Sequence, residues 1–544
     1  MKRFIEQYGG ENFDIAIIGG GITGAAVAYD AARRGFSVAL LEKGDFGAAT
    51  SSATSKLIHG GLRYLANGEV ALVRESLRER RIMENIAPNL VHPLPSLIAT
   101  YAGQGLMNSR QVMRAGMILY DILSFDKGRT RDAAKRLPNH RSMSRKEVLA
   151  AEGSVRPAQL NGGFVYYDCL SSFPERLTLA FIKSAAHHGA RVANYARVDD
   201  FMVEGKSVRG LVITDELTGA GLKVTASLVI NCAGPWADIL LAKALHRETA
   251  RQITRSEGIH IITDKTVNSH MVGLRTTRGR HIFFVPWRGH TLIGTTDKEY
   301  TGTPDGYRVS RQSIVELIDE VNESFGSGTL GYGDVRHAYG GLRPLVETQT
   351  EGTYSSSRRY EIYDNAADGL EGLITVEGGK YTTSRNLAEK VMAEVRKKSG
   401  RKMMQCTTAA GFLKGCEIAD MEAFASALRS EQVLAPQTMT YLGMAYGSDF
   451  RQVCGIAKDD AALGRPLNDD GEILAQVAYA ARHEMARTLP DIMLRRTGLG
   501  TLGHPGNDII KKAAETAASE LKWDSAKTEA EIKKVSALLT LPVQ

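Results

Sequence analysis

A short apolar run, Phe13 to Ile18 (FDIAII), leads directly into a glycine cluster and then into an alanine-rich stretch, Gly24 to Arg34. A brief apolar run of this length predicts a buried strand, and the alanine-rich stretch predicts a helix that ends at Gly35. Ser37 to Leu41 (SVALL) predicts a second buried strand, so the chain opens with a βαβ unit. The pattern then predicts helices over Leu62 to Ile86, stopped by Pro88, over Gly105 to Phe125, and over Pro174 to His188. Arg191 to Val198, Phe201 to Val203, Ser207 to Thr214 and Leu222 to Ala226 read as antiparallel strands, with Leu228 to Asn231 a buried one. Further strands are expected at Ile259–Thr263, His281–Val285, Thr291–Thr295 and Leu373–Val376. From about Ala410 the pattern turns helical, most clearly over Met421 to Glu431, Gly471 to Leu489 and Asp508 to Leu521.

Length adds that 544 residues make three or four domains, or fewer large ones. A hydrophobic share of 43% and a charged share of 24% fit a soluble globular protein and exclude disorder. The net charge, 68 − 61 = +7, is mild and suits an anionic substrate, membrane surface or nucleic acid equally. Much of it is local. Lys127, Arg129, Arg131, Lys135, Arg136, Arg141, Arg145 and Lys146 face the single acid Asp132, giving 8 − 1 = +7 over residues 127–146. Such a run reads first as a solvated loop and helix face, and second as a membrane or partner patch. No RNA-binding motif accompanies it, so nucleic acid is not an expected partner.

Cys169, Cys232, Cys406, Cys416 and Cys454 are scattered without a CxxC pair, which argues for reduced cytoplasmic thiols. Met1 to Asn12 lacks the apolar core of a signal peptide, and no run of about 18 apolar residues occurs. Membrane contact is therefore expected to be peripheral. No metal is expected, since neither HExxH nor a His/Cys pair at ligand spacing is present. A GxSxG elbow and a Walker loop are also missing from the sequence.

Gly19-Gly20-Gly21-Ile22-Thr23-Gly24 is a GxGxxG between strand and helix. Gly19 permits the turn, Gly21 lets the backbone approach a pyrophosphate, and Gly24 lets helix and strand pack closely. The helix N-terminus offers N–H groups to phosphate. Glu42, closing the second strand, can accept hydrogen bonds from a ribose diol. This fingerprint leaves FAD and NAD open.

The stretch Thr50 to Leu65 (TSSATSKLIHGGLRYL) resembles the flavin-contacting segment of the FAD-dependent glycerol-3-phosphate dehydrogenases of the aerobic, quinone-linked type. The resemblance continues in Asn231–Trp236 (NCAGPW), Gly294–Asp297, Gly340–Leu345 (GGLRPL), Glu377–Thr383 (EGGKYTT), Glu484–Asp491 and Arg495–Thr497, in that order over most of the chain. The segments 127–146 and Arg278–His281 fit only loosely and receive no role. The resemblance implies FAD as cofactor, held by Gly19, Gly21, Ile22, Thr23 and Gly24, by Glu42 and Lys43, and by Thr50, Ser51, Ser52, Ser55, Lys56, Leu57, His59, Gly60 and Gly61. Ala233, Gly234, Gly378, Gly379, Lys380, Tyr381 and Thr382 complete the expected cradle. Substrate contacts are implied at Arg343, Arg358 and Lys380, with Arg63, Tyr64 and His260 as further candidates.

The residues themselves agree. A phosphorylated alcohol needs cations, and the arginine fork binds phosphate bidentately. Arg343 follows what reads as a Gly340-Gly341 turn. A Lys380 cation and the N–H groups of the glycine turn before it can stabilise a reduced, anionic flavin. His59 and His260 are the candidate bases, because imidazole titrates near working pH.

The expected fold is α/β. A Rossmann-like FAD-binding domain is built from segments of about 13–75, 165–240 and 340–400 within a 13–400 oxidoreductase region. An antiparallel α+β substrate domain is inserted between them, and an all-helical C-terminal domain covers 405–544. The expected activity is oxidation of sn-glycerol 3-phosphate to dihydroxyacetone phosphate, with electrons passing to a membrane quinone. The enzyme would sit on an anionic membrane surface, at the cytoplasmic inner face, with room for a homodimer. The rivals are an oxidase that reduces O₂ to hydrogen peroxide, a multi-subunit anaerobic dehydrogenase disfavoured by the absent CxxC, and a non-catalytic flavoprotein.

Overall fold

The computed structural model describes residues 1–103, 109–249, 251–325, 330–346 and 359–543. Its first sheet runs Tyr360–Asp364, Leu373–Gly378, Gly221–Asn231, Phe13–Ile18, Val38–Leu41 and Arg191–Ala193. All neighbours are parallel except Tyr360–Asp364, which pairs antiparallel with Leu373–Gly378. Phe13–Ile18 sits at the switch point, between a strand near its own sequence and one about 200 residues away. In open sheets of this kind the ligand crevice forms beyond the carboxyl ends of the strands at that point. Gly19, Glu42, Cys232 and Gly378–Gly379 all gather there.

The helix Ile22–Arg33 packs against Pro174–His187 and Ser384–Ser399. Its alanines bring the backbones close, and nearly every residue on it is buried. The strands expected separately at Leu222–Ala226 and Leu228–Asn231 are one strand, Gly221–Asn231. Its first half pairs antiparallel with Ser207–Asp215 and its second half parallel with Phe13–Ile18.

The second sheet runs Lys298–Glu299, Thr254–Thr263, His290–Gly294, His281–Trp287, Met271–Arg275, Val91–Tyr101, Leu160–Ser171 and Leu57–Ile58. Most of it is antiparallel. Val335–Leu345 adds to Thr254–Thr263, and Arg141–Met143 to Leu160–Ser171. Val91–Tyr101 and Leu160–Ser171 form its longest paired strands, yet neither was expected, since Pro93, Pro95, Gly162 and Gly163 interrupt their patterns. Gly340 and Gly341 also correct the reading: they lie mid-strand and make no turn. A Cβ on Gly340 would meet Tyr307 Oη at 2.4 Å, and one on Gly341 would meet Ala53 Cβ at 2.7 Å. Close approach is thus what these glycines supply. The helix expected over Leu62 to Ile86 is two helices, Arg63–Ala66 and Val70–Ile86, separated at Gly68, whose φ of 72° ends the first.

The C-terminal segment is helical. Met421–Glu431, Pro436–Tyr446, Phe450–Asp459, Leu474–His483, Asn507–Leu521 and Ser525–Leu539 are its main helices, with a π-turn at Ile492–Arg496. The helix expected over Gly471 to Leu489 stops at His483. Glu484 and the residues after it leave the helix to dock this segment on the rest of the molecule. Glu484 pairs with Arg176 at 2.9 Å and Lys183 at 3.4 Å, and Asp45 pairs with Arg495 and Arg496 at 2.6 Å each. Burial pushes the Glu484 carboxyl up, but Arg176 and Lys183 outweigh it and hold the group at about 2. The basic run has a structural use as well. Lys135 is buried and donates to the Val91 and Pro88 carbonyls, Lys127 pairs with Asp121, and Arg131 lies over the Phe412 ring.

Candidate active site

A cavity of about 1920 Å³ is lined by residues of both sheets, from Gly19 and Glu42 to His260, Arg343 and Lys380. At one end the turn after Phe13–Ile18 shapes it. Gly19 has a φ of 102°, and a Cβ there would meet the Cys232 carbonyl at 2.6 Å. A Cβ on Gly24 would lie 1.9 Å from the Gly19 carbonyl oxygen, so helix and strand pack only because it is glycine. Glu42 accepts from Gly20 N–H at 2.7 Å and Gly44 N–H at 2.8 Å, which fixes the loop. Burial raises its pKa, and those two N–H bonds oppose the rise. A carboxylate oxygen accepts more than one donor, so these bonds leave capacity for a diol. Ser51 Oγ accepts from Ile22 N–H at 2.9 Å, capping the helix. Thr50 Oγ1 donates to the Leu342 carbonyl at 2.6 Å, which laces the Thr50–Ala53 turn to the strand carrying Arg343.

At the other end cations collect. Arg343 donates to Thr295 Oγ1 at 2.6 Å and to the Thr296 carbonyl at 3.1 Å. Gly258 makes room for it, since a Cβ there would fall 1.9 Å from Arg343 Nη2. Lys380 follows the paired glycines Gly378 and Gly379, with φ of 72° and 93°, so the expected turn is present. Its Nζ donates to Ser76 Oγ at 2.9 Å and lies 4.1 Å from the centre of the Tyr64 ring, which Arg63 also faces at 5.2 Å.

The two candidate bases differ in surroundings. His260 Nε2 is 2.8 Å from Ser55 Oγ, and its ring stacks on Tyr339. Its buried Nδ1 has no hydrogen-bond partner among the described residues. Burial pushes its pKa well down, and Arg343 and Lys56 push it further. Burial also drives His59 down, to about 4, with Lys380, Arg63 and Arg80 adding to the fall, but here Asp168 works against it.

Of the candidates from sequence, Gly24, Ser52, Lys56 and Gly60 do not line the cavity. Gly24 is packed inside the turn, Ser52 donates to the Ala48 and Ala49 carbonyls, and Lys56 turns to Glu175 under Trp287. Gly60 lies against Leu77 and Tyr120. Arg358 lies outside the described residues, and Arg359 is on the cavity wall. The remaining candidates line it. So do residues that sequence reading missed: Tyr166, Asp168, Arg275 and His281. Arg275 and His281 are paired across a hairpin, and His281 closes the loosely fitting Arg278–His281 stretch that received no role. The lone acid in the apolar stretch FVYYDCL was the available signal for Asp168.

A parallel sheet with glycine turns at its switch point, roofed by an antiparallel sheet across one cavity, defines the class of two-domain dinucleotide-dependent oxidoreductases. Residues 14–385 match the family model described as FAD dependent oxidoreductase, and 406–528 match the C-terminal domain of alpha-glycerophosphate oxidase. The chain is 34% identical to a glycerol-3-phosphate dehydrogenase of Synechocystis, covering 96% of this chain and 95% of that one. It is 33% identical to the aerobic glycerol-3-phosphate dehydrogenase of Bacillus subtilis, over 91% and 89%. The crystal structure of the glycerol-3-phosphate dehydrogenase from Bacillus halodurans complexed with FAD superposes with a TM-score of 0.79 at 26% identity, covering 98% of this chain and 96% of that one. The chain belongs to the FAD-dependent glycerol-3-phosphate dehydrogenase family. The cavity fits that cofactor: its wall at Gly19, Gly21, Gly234 and Gly341 is bare of side chains, and a Cβ on Gly21 would reach 3.2 Å from Ser51 Oγ.

Proposed function

We propose that this chain oxidises sn-glycerol 3-phosphate to dihydroxyacetone phosphate and passes the electrons to a membrane quinone. The observation that carries this reading is the meeting of Arg343, Lys380, Arg63 and His59 on the wall of one cavity with the Gly19–Gly21 turn. Gly19, Gly21, Glu42, Ser51, Ala233 and Gly379 would hold FAD, which when bound would supply the acceptor for the hydride of the substrate C2. Arg343 binds the phosphate, because a guanidinium fork matches its oxygens. Lys380 offers positive charge where negative charge develops. His59 receives the C2 hydroxyl proton: it is neutral near pH 7, and among the described residues the Asp168 carboxylate favours its protonated form.

Among the described residues no helix is long and apolar enough to cross a membrane. A peripheral attachment has support on the helix Arg110–Leu123 and the turn after it. Ile118, Ile122 (61% exposed) and Phe125 (68% exposed) are exposed apolar side chains at helical spacing, with Arg114 exposed on the same helix and the Arg74 guanidinium 4.4 Å from the centre of the Phe125 ring. These side chains suit the anionic inner surface of a cell membrane, where the quinone is dissolved. The oxidase reading keeps a place because residues 406–528 match an oxidase domain. Anaerobic mixing with glycerol 3-phosphate should bleach the flavin absorbance. Reoxidation by a quinone analogue without peroxide supports the dehydrogenase, whereas fast reoxidation by O₂ with stoichiometric peroxide overturns it. Absence of bleaching overturns the substrate assignment.

A further inference from the structure

Among the described residues the cavity wall carries four carboxylates, and three have evident work. Glu42 holds the Gly20 and Gly44 amides, Asp305 pairs with Lys43, and Asp297 accepts from Ser256 at 2.8 Å beside Arg343. The fourth, Asp168, is 2% exposed and belongs to a strand of the other sheet. Its carboxylate accepts from Gly60 N–H at 3.0 Å, from Arg80 at 2.7 Å, and from Tyr120 Oη at 2.9 Å on both oxygens. Gly60 is the neighbour of His59, and His59 N–H donates to Thr382 Oγ1 at 3.3 Å. The His59–Gly60 backbone is therefore pinned from two sides, by Asp168 and by the segment after Lys380.

Such an arrangement has a cost that a purely structural ion pair does not need. A buried Arg–Asp pair is expensive to desolvate, and an apolar pair of equal size would pack as well. Gly60 cannot carry a side chain here, because a Cβ would lie 2.3 Å from both Leu77 Cδ2 and Tyr120 Oη. The segment is held by its backbone, close to the carboxylate. The charged groups that bear on His59 are Asp168 on one side and Lys380, Arg63 and Arg80 on the other. Tyr166 and Tyr120 also face Asp168, and both phenols are pushed far above their ordinary range by burial and by that carboxylate, so they stay neutral.

We infer that Asp168 is a positioning residue for the oxidation, fixing the His59–Gly60 backbone and favouring the imidazolium that forms when His59 takes the C2 hydroxyl proton. This rests on the reading of His59 as proton acceptor. As the C2–H bond breaks with its electron pair passing to FAD, the hydroxyl proton passes to His59 and C2=O forms. A positive charge then appears in a cavity already holding Lys380 and Arg63. Among the charged groups that bear on His59, Asp168 is the carboxylate, one residue from the ring through its bond to Gly60 N–H, and its attraction opposes the repulsion of Lys380, Arg63 and Arg80. Its effect falls on the proton-transfer step and leaves ground-state binding alone.

The test compares the FAD-loaded wild type with Asp168→Asn, His59→Ala and Tyr120→Phe. It measures the rate of anaerobic flavin bleaching, the Kd for glycerol 3-phosphate and the solvent deuterium isotope effect. Asp168→Asn should slow bleaching by about 10²-fold, in the range of one general-base contribution. Its Kd should change by less than about threefold and its solvent isotope effect should rise. Tyr120→Phe keeps the charge and should stay within about fivefold of wild type. Because Asp168→Asn leaves Arg80 buried without its counter-ion, the double variant Asp168→Asn with Arg80→Met is made alongside, and should bleach as slowly as the single variant. A normal rate with slow His59→Ala overturns the role of Asp168 alone. A normal rate in His59→Ala overturns the proton-acceptor reading and this inference with it. A Kd that rises in step with the rate loss, with an unchanged isotope effect, makes Asp168 a binding residue and overturns the inference.

Discussion

Removing one charge from the joint between the helical segment and the cofactor half tests how the molecule is held together. Glu484 is completely buried and paired with Arg176 and Lys183. Its pKa falls from an ordinary 4.5 to about 2. At 1.36 kcal/mol per pH unit, that displacement is worth about 3 kcal/mol of stability at neutral pH. The independent expectation for breaking a buried pair, about 3–5 kcal/mol, is of the same size, since Arg176 is left without its carboxylate. The sign follows from the depressed pKa: the contribution is full above 4.5 and is lost as pH falls towards 2. Glu484→Gln should therefore lower the urea midpoint at pH 7 by up to about 1 M, because the slope for a chain of this size is at or above the upper end, about 3 kcal/mol/M, of the range for small proteins. The gap from wild type should narrow steadily below pH 4.5. Equilibrium denaturation at a fixed FAD concentration measures both. Glu529→Gln, which removes an exposed partner of Lys533, should leave the midpoint in place. If Glu484→Gln matches wild type at pH 7, or if the gap persists unchanged at pH 3.5, the buried pair is not what fastens the two parts.

Arg343→Ala should raise KM for glycerol 3-phosphate by about 10- to 150-fold, the loss of one charge-assisted contact of about 1.5–3 kcal/mol, while the poor turnover of glycerol stays as it was. Equal losses on both substrates would move phosphate recognition elsewhere. Lys380→Ala should lower kcat more than it raises KM, and should lower the flavin potential, which a redox titration checks. Gly341→Val should weaken FAD retention, because a Cβ 2.7 Å from Ala53 displaces the Thr50–Ala53 turn; equilibrium dialysis of FAD measures it.

The first sheet was legible because its strands are short apolar runs and its cofactor turn is marked by glycines at fixed spacing. Gly19 and Glu42 follow from the local pattern of strand, glycine turn and helix, whereas Lys380 was marked by the resemblance of its GGK motif. What escaped were positions whose meaning depends on distant partners. Val91–Tyr101 received no assignment from the sequence, because Pro93 and Pro95 break its pattern, yet Pro93 faces Cys169 across an antiparallel pair and Pro95 faces Tyr167. Gly340 and Gly341 carry the composition of a turn, and only the nearness of Tyr307 and Ala53 explains them as strand residues. Asp168 is one acid in an apolar stretch, and its use emerges only when Arg80, Tyr120 and Gly60 converge on it from other elements. The motif around Glu484 and Arg496 was recognisable as a motif, but nothing local said that its task is docking.

The place of Phe13–Ile18 in the middle of its sheet has a consequence for biosynthesis. Val38–Leu41 covers one edge soon after the strand emerges, but the other edge waits for Gly221–Asn231. At about 5–20 residues per second, some 210 residues of translation leave that edge open for about 10–40 s. Leu373–Gly378, which brings Lys380, arrives later still, and Arg496, which secures Asp45, lies near the end of the chain. The nascent chain therefore carries an apolar strand with one open edge through about two-fifths of its synthesis, and its cofactor cradle is completed only when Leu373–Gly378 follows. Limited FAD at that moment should leave a chain prone to strand-edge aggregation, and early pairing partners or chaperones should matter more to its yield than the stability of the finished fold.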